Sequence, residues 1–101
     1  MKKFINSYLD KSKQLLDSAI EKYSDDLIKI TEKFKKTSKK DGKVILLGNG
    51  GSAATSSHVS VDLTKNAKIR SINFNEADLI TCFSNDFGYQ DWMKKSLEFY
   101  L

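Results

Sequence analysis

The chain has 101 residues, room for one small domain, and its 40% hydrophobic and 30% charged content fits a folded protein rather than a disordered one. The net charge is +4, but the lysines sit mainly in the first 43 residues and alternate with Asp and Glu, as in "DKSKQLLDSAIEK"; solvated helix faces explain that pattern, and no interleaved aromatics argue for nucleic acid. The single Cys82 excludes an intrachain disulfide framework and fits a reducing cytoplasm, while "FINSYLDKSKQLL" is too polar for a leader peptide or a membrane span.

Residues 1–38 read as helix. Ile5, Leu9, Leu16, Ile20, Tyr23, Leu27, Ile30 and Phe34 fall mostly three and four apart and form one apolar stripe. "SDD" at 24–26 has the form of an N-cap followed by acidic first-turn residues, so a hairpin of two helices is expected. The stripe serves either an ordinary core or a partner helix in an oligomer. "KKDGK" at 39–43 is a turn.

Residues 43–47 are short, apolar and rich in β-formers, which predicts a buried strand of a parallel sheet. A glycine turn and a helix over about 52–64 follow. Residues 69–74, "IRSINF", read as a second strand. "NEADLITCFSND" reads as a short helix capped by Asn75, with Cys82 on its apolar side, and 90–101 as a last helix with Trp92, Leu97 and Tyr100 inward. The alternation predicts an α/β fold, a parallel sheet flanked by helices over 43–101.

The glycine turn at 48–52 joins a parallel strand to a helix, where ligands collect in open α/β folds. Helix-start N–H groups, close backbone approach at Gly50 and Gly51, and the Ser52 hydroxyl suit a phosphate or a polyhydroxyl group. A P-loop needs Gly-Lys-Ser/Thr, and no Lys lies between Lys43 and Lys65. Gly48-x-Gly50-x-x-Ala53 satisfies a dinucleotide fingerprint, but Asn73 stands where an acidic residue is expected. A sugar-phosphate site, with Asn49 and Ser52 bonding hydroxyls or phosphate, suits the residues best.

His58 and Asp62, four apart on the predicted helix, share a face. The pair is able to ligate a divalent metal, to move a proton, or simply to form a helix-face hydrogen bond. Asn85 and Asp86, in "SNDFGY", mark either a helix stop or a substrate-facing loop on the edge of the first turn.

Together "LLGNGGSAATSSH", a carboxylate four residues after His58, and "SNDFGYQDW" resemble the SIS (sugar isomerase) domain, and most of all its phosphoheptose isomerase branch, over about residues 43–89. The resemblance implies a flavodoxin-like three-layer fold with a five-stranded parallel sheet. It further implies a homotetramer or dimer with sites at subunit interfaces, and interconversion of a phosphorylated sugar, sedoheptulose 7-phosphate, through an enediol. By the same resemblance Asn49, Gly50, Gly51 and Ser52 meet the substrate. Asp86 contacts the sugar, with Asn85 beside it. His58 is a zinc ligand, and the family's catalytic, zinc-binding Glu falls on Asp62.

The sequence departs from that pattern twice. "HVSVD" places Val61 and Asp62 where the family pattern has two consecutive Glu, and Asp is one methylene shorter. Family members are also about twice this long, and their second half carries a Ser-rich phosphate loop, a second His and further zinc ligands. The expectation is therefore the first half of the fold. The function expected is isomerisation for heptose and surface-glycan synthesis in the cytoplasm, inactive as 101 residues alone; the alternative is a non-catalytic SIS module binding a phosphosugar or a protein.

Overall fold

A computed structural model describes residues 1–101, which divide into two compact units, Met1–Lys36 and Thr37–Leu101. Helix α1, Lys2–Lys39, runs the length of the first unit without a break. The expected hairpin is thus a single helix. Ser24 lies inside that helix, where its Oγ donates to Ile20 O, one turn back, instead of capping a new helix. Ser12 and Thr31 bond backwards in the same way, to Tyr8 O and Leu27 O. Asp26 pairs with Lys29 at 3.3 Å on the helix surface. The stripe is present, and Leu16, Ile20, Tyr23, Leu27 and Ile30 are all exposed along it. No helix is long and apolar enough to cross a membrane.

The second unit opens on the end of α1. Gly42 N–H donates to Thr37 O at 2.9 Å and Asp41 N–H to Ser38 O at 3.0 Å, with Asp41 left-handed at φ 57°. This is a Schellman ending. Gly42 is needed there, because a Cβ would lie 2.8 Å from Thr37 Cγ2. Arg70 holds the turn through its Nη2, 3.2 Å from Asp41 Oδ1.

Strand β1, Val44–Leu46, pairs in parallel with β2, Ser71–Asn73, in the register Val44↔Ser71, Ile45↔Ile72, Leu46↔Asn73. Helix α2, Gly51–Lys65, makes the crossover and packs on both strands. The ladders are shorter than the apolar runs predicted, yet the flanking Ile69 and Phe74 are buried with Val44. Burial, rather than strand pairing, explains those apolar positions. Ser60 is the buried residue of α2.

Helices α3, Ala77–Phe87, and α4, Trp92–Glu98, pack on each other. Phe83 stands edge-on to Phe99, centroids 5.7 Å apart, and Phe74 lies 4.6 Å from Tyr100. Trp92 is 1% exposed, and Ser96, fully buried, donates its Oγ to Trp92 O at 2.8 Å. Cys82 is exposed, contrary to its expected core place. Leu79, Ile80, Phe83 and Ser84 are the half-buried positions around it, so the inward face of α3 passes beside Cys82. The α/β order expected from the sequence therefore stands, as a two-stranded parallel sheet with helices.

Candidate functional site

Three glycines shape the turn between β1 and α2, each for a different reason. Gly48 is buried, and a Cβ there would meet Ser52 backbone atoms at 2.5 Å. Gly50 takes φ 55° and ψ −125°, a region open to glycine almost alone. Gly51 faces open space, with nothing within 4 Å of a built Cβ. Ser52 N–H closes the turn on Asn49 O at 3.1 Å, and Ala53 N–H on Gly50 O at 3.1 Å.

No side chain caps the start of α2 and no acidic residue occupies its first turn. Its partial positive charge is therefore uncompensated from within the chain. Asn49, Gly50, Gly51 and Ser52 are all exposed there. An anion seated on these groups would gain both N–H donors and the helix dipole.

The turn is braced from the segment after β2. Asn75 Nδ2 donates to Ala53 O at 2.9 Å and lies 3.3 Å from Ser57 Oγ. Its own N–H donates to Asn73 Oδ1 at 3.1 Å, while its Oδ1 is buried without a partner. Asn75 was expected to cap α3, but the N-cap is Glu76, without a side-chain cap bond, and the Asn75 amide reaches α2 instead. Ser56 Oγ adds a bond to Leu47 O at 3.1 Å. A brace across 22 residues leaves no local signal in the sequence.

His58 and Asp62 do share a face of α2. His58 Nε2 lies 3.6 Å from Asp62 Oδ2, too far for a hydrogen bond, with the side chains 79% and 51% exposed. Two ligands of one tetrahedral zinc sit about 3.4 Å apart, so the separation suits a pair of donors. The donor set is incomplete, however. Zinc takes three protein ligands or more, and the chain gathers no group of three His, Cys, Asp or Glu side chains. These residues do not form a zinc site by themselves.

Asp62 has a second neighbour. Asn66 Nδ2 donates to Asp62 Oδ1 at 3.0 Å. The sequence carries a signal for it, since the four-residue spacing of His58 and Asp62 repeats once more.

The turn and the His58–Asp62 pair lie far apart on one helix. Seven residues place His58 about 10 Å from Gly51 along the axis, and Asp62 lies about 16 Å away. Asn85 and Asp86 lie in the last turn of α3, exposed, about 12 Å or more along its axis from Ala77. The Asp86 carboxylate takes Asn85 Nδ2 at 3.1 Å and Cys82 Sγ–H at 3.7 Å. Gly88, at φ 90°, ends the helix by donating its N–H to Ser84 O at 3.0 Å.

A family model described as SIS domain matches residues 7–88, a span that takes in all of these side chains. The chain is 31% identical over 101 residues to a phosphoheptose isomerase of Cytophaga hutchinsonii, covering 93% of this chain and 53% of that protein. It is 31% identical over 108 residues to a phosphoheptose isomerase of Sulfurimonas denitrificans, covering 97% and 54%. With a phosphoheptose isomerase of Helicobacter pylori it shares 27% over 92 residues, covering 85% and 48%. The chain thus spans about half the length of these relatives. No solved structure gives a significant match.

Proposed function

The chain belongs to the SIS domain family, and on that premise we propose that it serves a phosphosugar aldose–ketose isomerase acting on sedoheptulose 7-phosphate, in cytoplasmic synthesis of heptose for a surface glycan. The observation that carries this reading is the uncapped start of α2, where Gly50 and Gly51 lie open beside Ser52. Gly50 and Gly51 hold the phosphorylated sugar through backbone N–H groups, and Asn49 and Ser52 through their side chains. Asn85 and Asp86 contact its hydroxyls.

In this reading the Asp62 carboxylate is the base. It takes the proton from C1 while the C2 oxygen gains one from a second group, giving the enediol, and then delivers a proton to C2 while the C1 hydroxyl returns one to that group; His58 lies beside it. For zinc, His58 and Asp62 supply two donors and no more. The distance between Gly51 and Asp62 along α2 exceeds one sugar phosphate. The reading therefore makes the protein a homo-oligomer, dimer or tetramer, in which the turn of one copy and the Asp62 of another serve one site.

A second reading rests on the exposure of His58 and Asp62 and on their incomplete ligand set. In it the chain is a non-catalytic SIS module that binds a phosphosugar or a protein. Interconversion of sedoheptulose 7-phosphate, followed by NMR of the sugar, separates the two. In the protein purified from its own gene, the isomerase reading expects turnover that Asp62→Asn abolishes while leaving sugar affinity within about twofold. Binding without turnover in the unsubstituted protein supports the module instead.

A further inference from the structure

We propose that Asn66 is a positioning residue for Asp62, an inference that rests on the assignment of Asp62 as the base. Asn66 is the C-cap of α2, at φ −92° and ψ −47°. Its backbone N–H donates to Asp62 O at 2.9 Å, and its side-chain Nδ2 donates to Asp62 Oδ1 at 3.0 Å. One residue therefore grips another at both main chain and side chain. Ala67 N–H adds a second donor to Asp62 O at 3.1 Å.

The consequence is an asymmetry between the two oxygens of one carboxylate. Oδ1 is taken by the amide of Asn66. Oδ2 is turned toward His58, 3.6 Å away, and takes no close donor. A base needs one oxygen held and the other free, because the proton is accepted along a fixed lone-pair direction. Asp is one methylene shorter than Glu and pivots about χ1 and χ2 only. A donor on Oδ1 then biases the plane of the carboxylate. Because the Asn66 backbone is already fixed by the helix end, holding its short side chain loses little rotamer freedom.

Both side chains lie on the surface, so substituting Asn66 leaves the fold intact. The experiment measures kcat and KM for sedoheptulose 7-phosphate in the protein purified from its own gene, with Asn66→Ala, Asn66→Gln, Asn66→Asp and Asp62→Asn, and records the melting temperature of each. Asn66→Ala should lower kcat by about twofold to tenfold, with KM and melting temperature unchanged. Asn66→Gln keeps an amide donor and should recover part of that loss. Asn66→Asp removes the donor and sets a like charge against Asp62, and should fall lowest of the three.

If Asp62→Asn abolishes turnover while Asn66→Ala keeps the full kcat, or loses only in KM, the positioning role is wrong and the role of Asp62 stands. If Asp62→Asn turns over normally, or the unsubstituted protein does not turn over, the assignment of Asp62 falls and this inference falls with it.

Discussion

Asn75 Nδ2 lies 2.9 Å from Ala53 O, so the segment that follows β2 holds the first turn of α2 in place. The glycine turn is exposed and has few side chains of its own to fix it. Its shape is set from that segment, by one amide that also touches Ser57 Oγ.

Asn75→Ala should therefore do more than remove a side chain. It removes the hydrogen bond to Ala53 O, worth about 0.5–1.5 kcal/mol, and should weaken binding of sedoheptulose 7-phosphate at the turn. Asn75→Asp, which has no amide donor, should behave alike. Thermal unfolding and titration calorimetry read both effects. Unchanged stability and affinity in both variants would show that the brace is idle.

The three glycines should respond differently to Ala. Gly48→Ala drives a Cβ into Ser52 backbone at 2.5 Å and should be the worst tolerated. Gly50→Ala meets open space but a forbidden backbone, at a cost of the order of 1–3 kcal/mol. Gly51→Ala meets neither obstacle and should be neutral, or stabilising by up to about 1 kcal/mol from helix propensity. Urea unfolding midpoints give the order, and an equal response at all three positions would contradict it.

Trp92 tests the packing beneath α3 and α4. It is 1% exposed, and its Nε1–H is buried without a partner. Trp92→Ala should destabilise by about 3–5 kcal/mol. Trp92→Phe loses volume but also removes the unpartnered donor, so it should lose much less. Equal losses measured by calorimetry would mean that the indole N–H has a partner after all.

The proposed oligomer is tested on the α1 stripe. Ile20→Glu with Leu27→Glu places charge on that exposed apolar face. If copies associate through it, light scattering should show a multimer for the unsubstituted protein and a lower mass for the double variant. A monomer in both cases would remove the shared site from the account.

Much of this molecule is written in short-range patterns. The turn at 48–52 shows in sequence because glycines crowded between an apolar run and a helix have few other uses. His58 and Asp62 show because a shared helix face depends on spacing alone. Ser24 misleads because one hydroxyl serves equally as a cap or as a donor to the carbonyl one turn back, and only the backbone decides between them. Asn75 misleads for another reason: beside an acidic first turn it looks like a cap, while its partners lie 22 and 18 residues away. Asn66 was legible as a third step of four and is easily passed over, since amides at helix ends are common stops. Cys82 misleads because α3 is amphipathic and its inward face, through Leu79, Ile80 and Phe83, runs one position away from it.

The most direct test of the central claim is a titration of the ¹⁵N-labelled protein with sedoheptulose 7-phosphate, following backbone amide shifts. The phosphosugar should produce saturable shifts at Gly50, Gly51 and Ser52 that the unphosphorylated sugar fails to reproduce. Shifts confined to other parts of the chain, or none at saturating ligand, would contradict the placement of the phosphosugar at the start of α2.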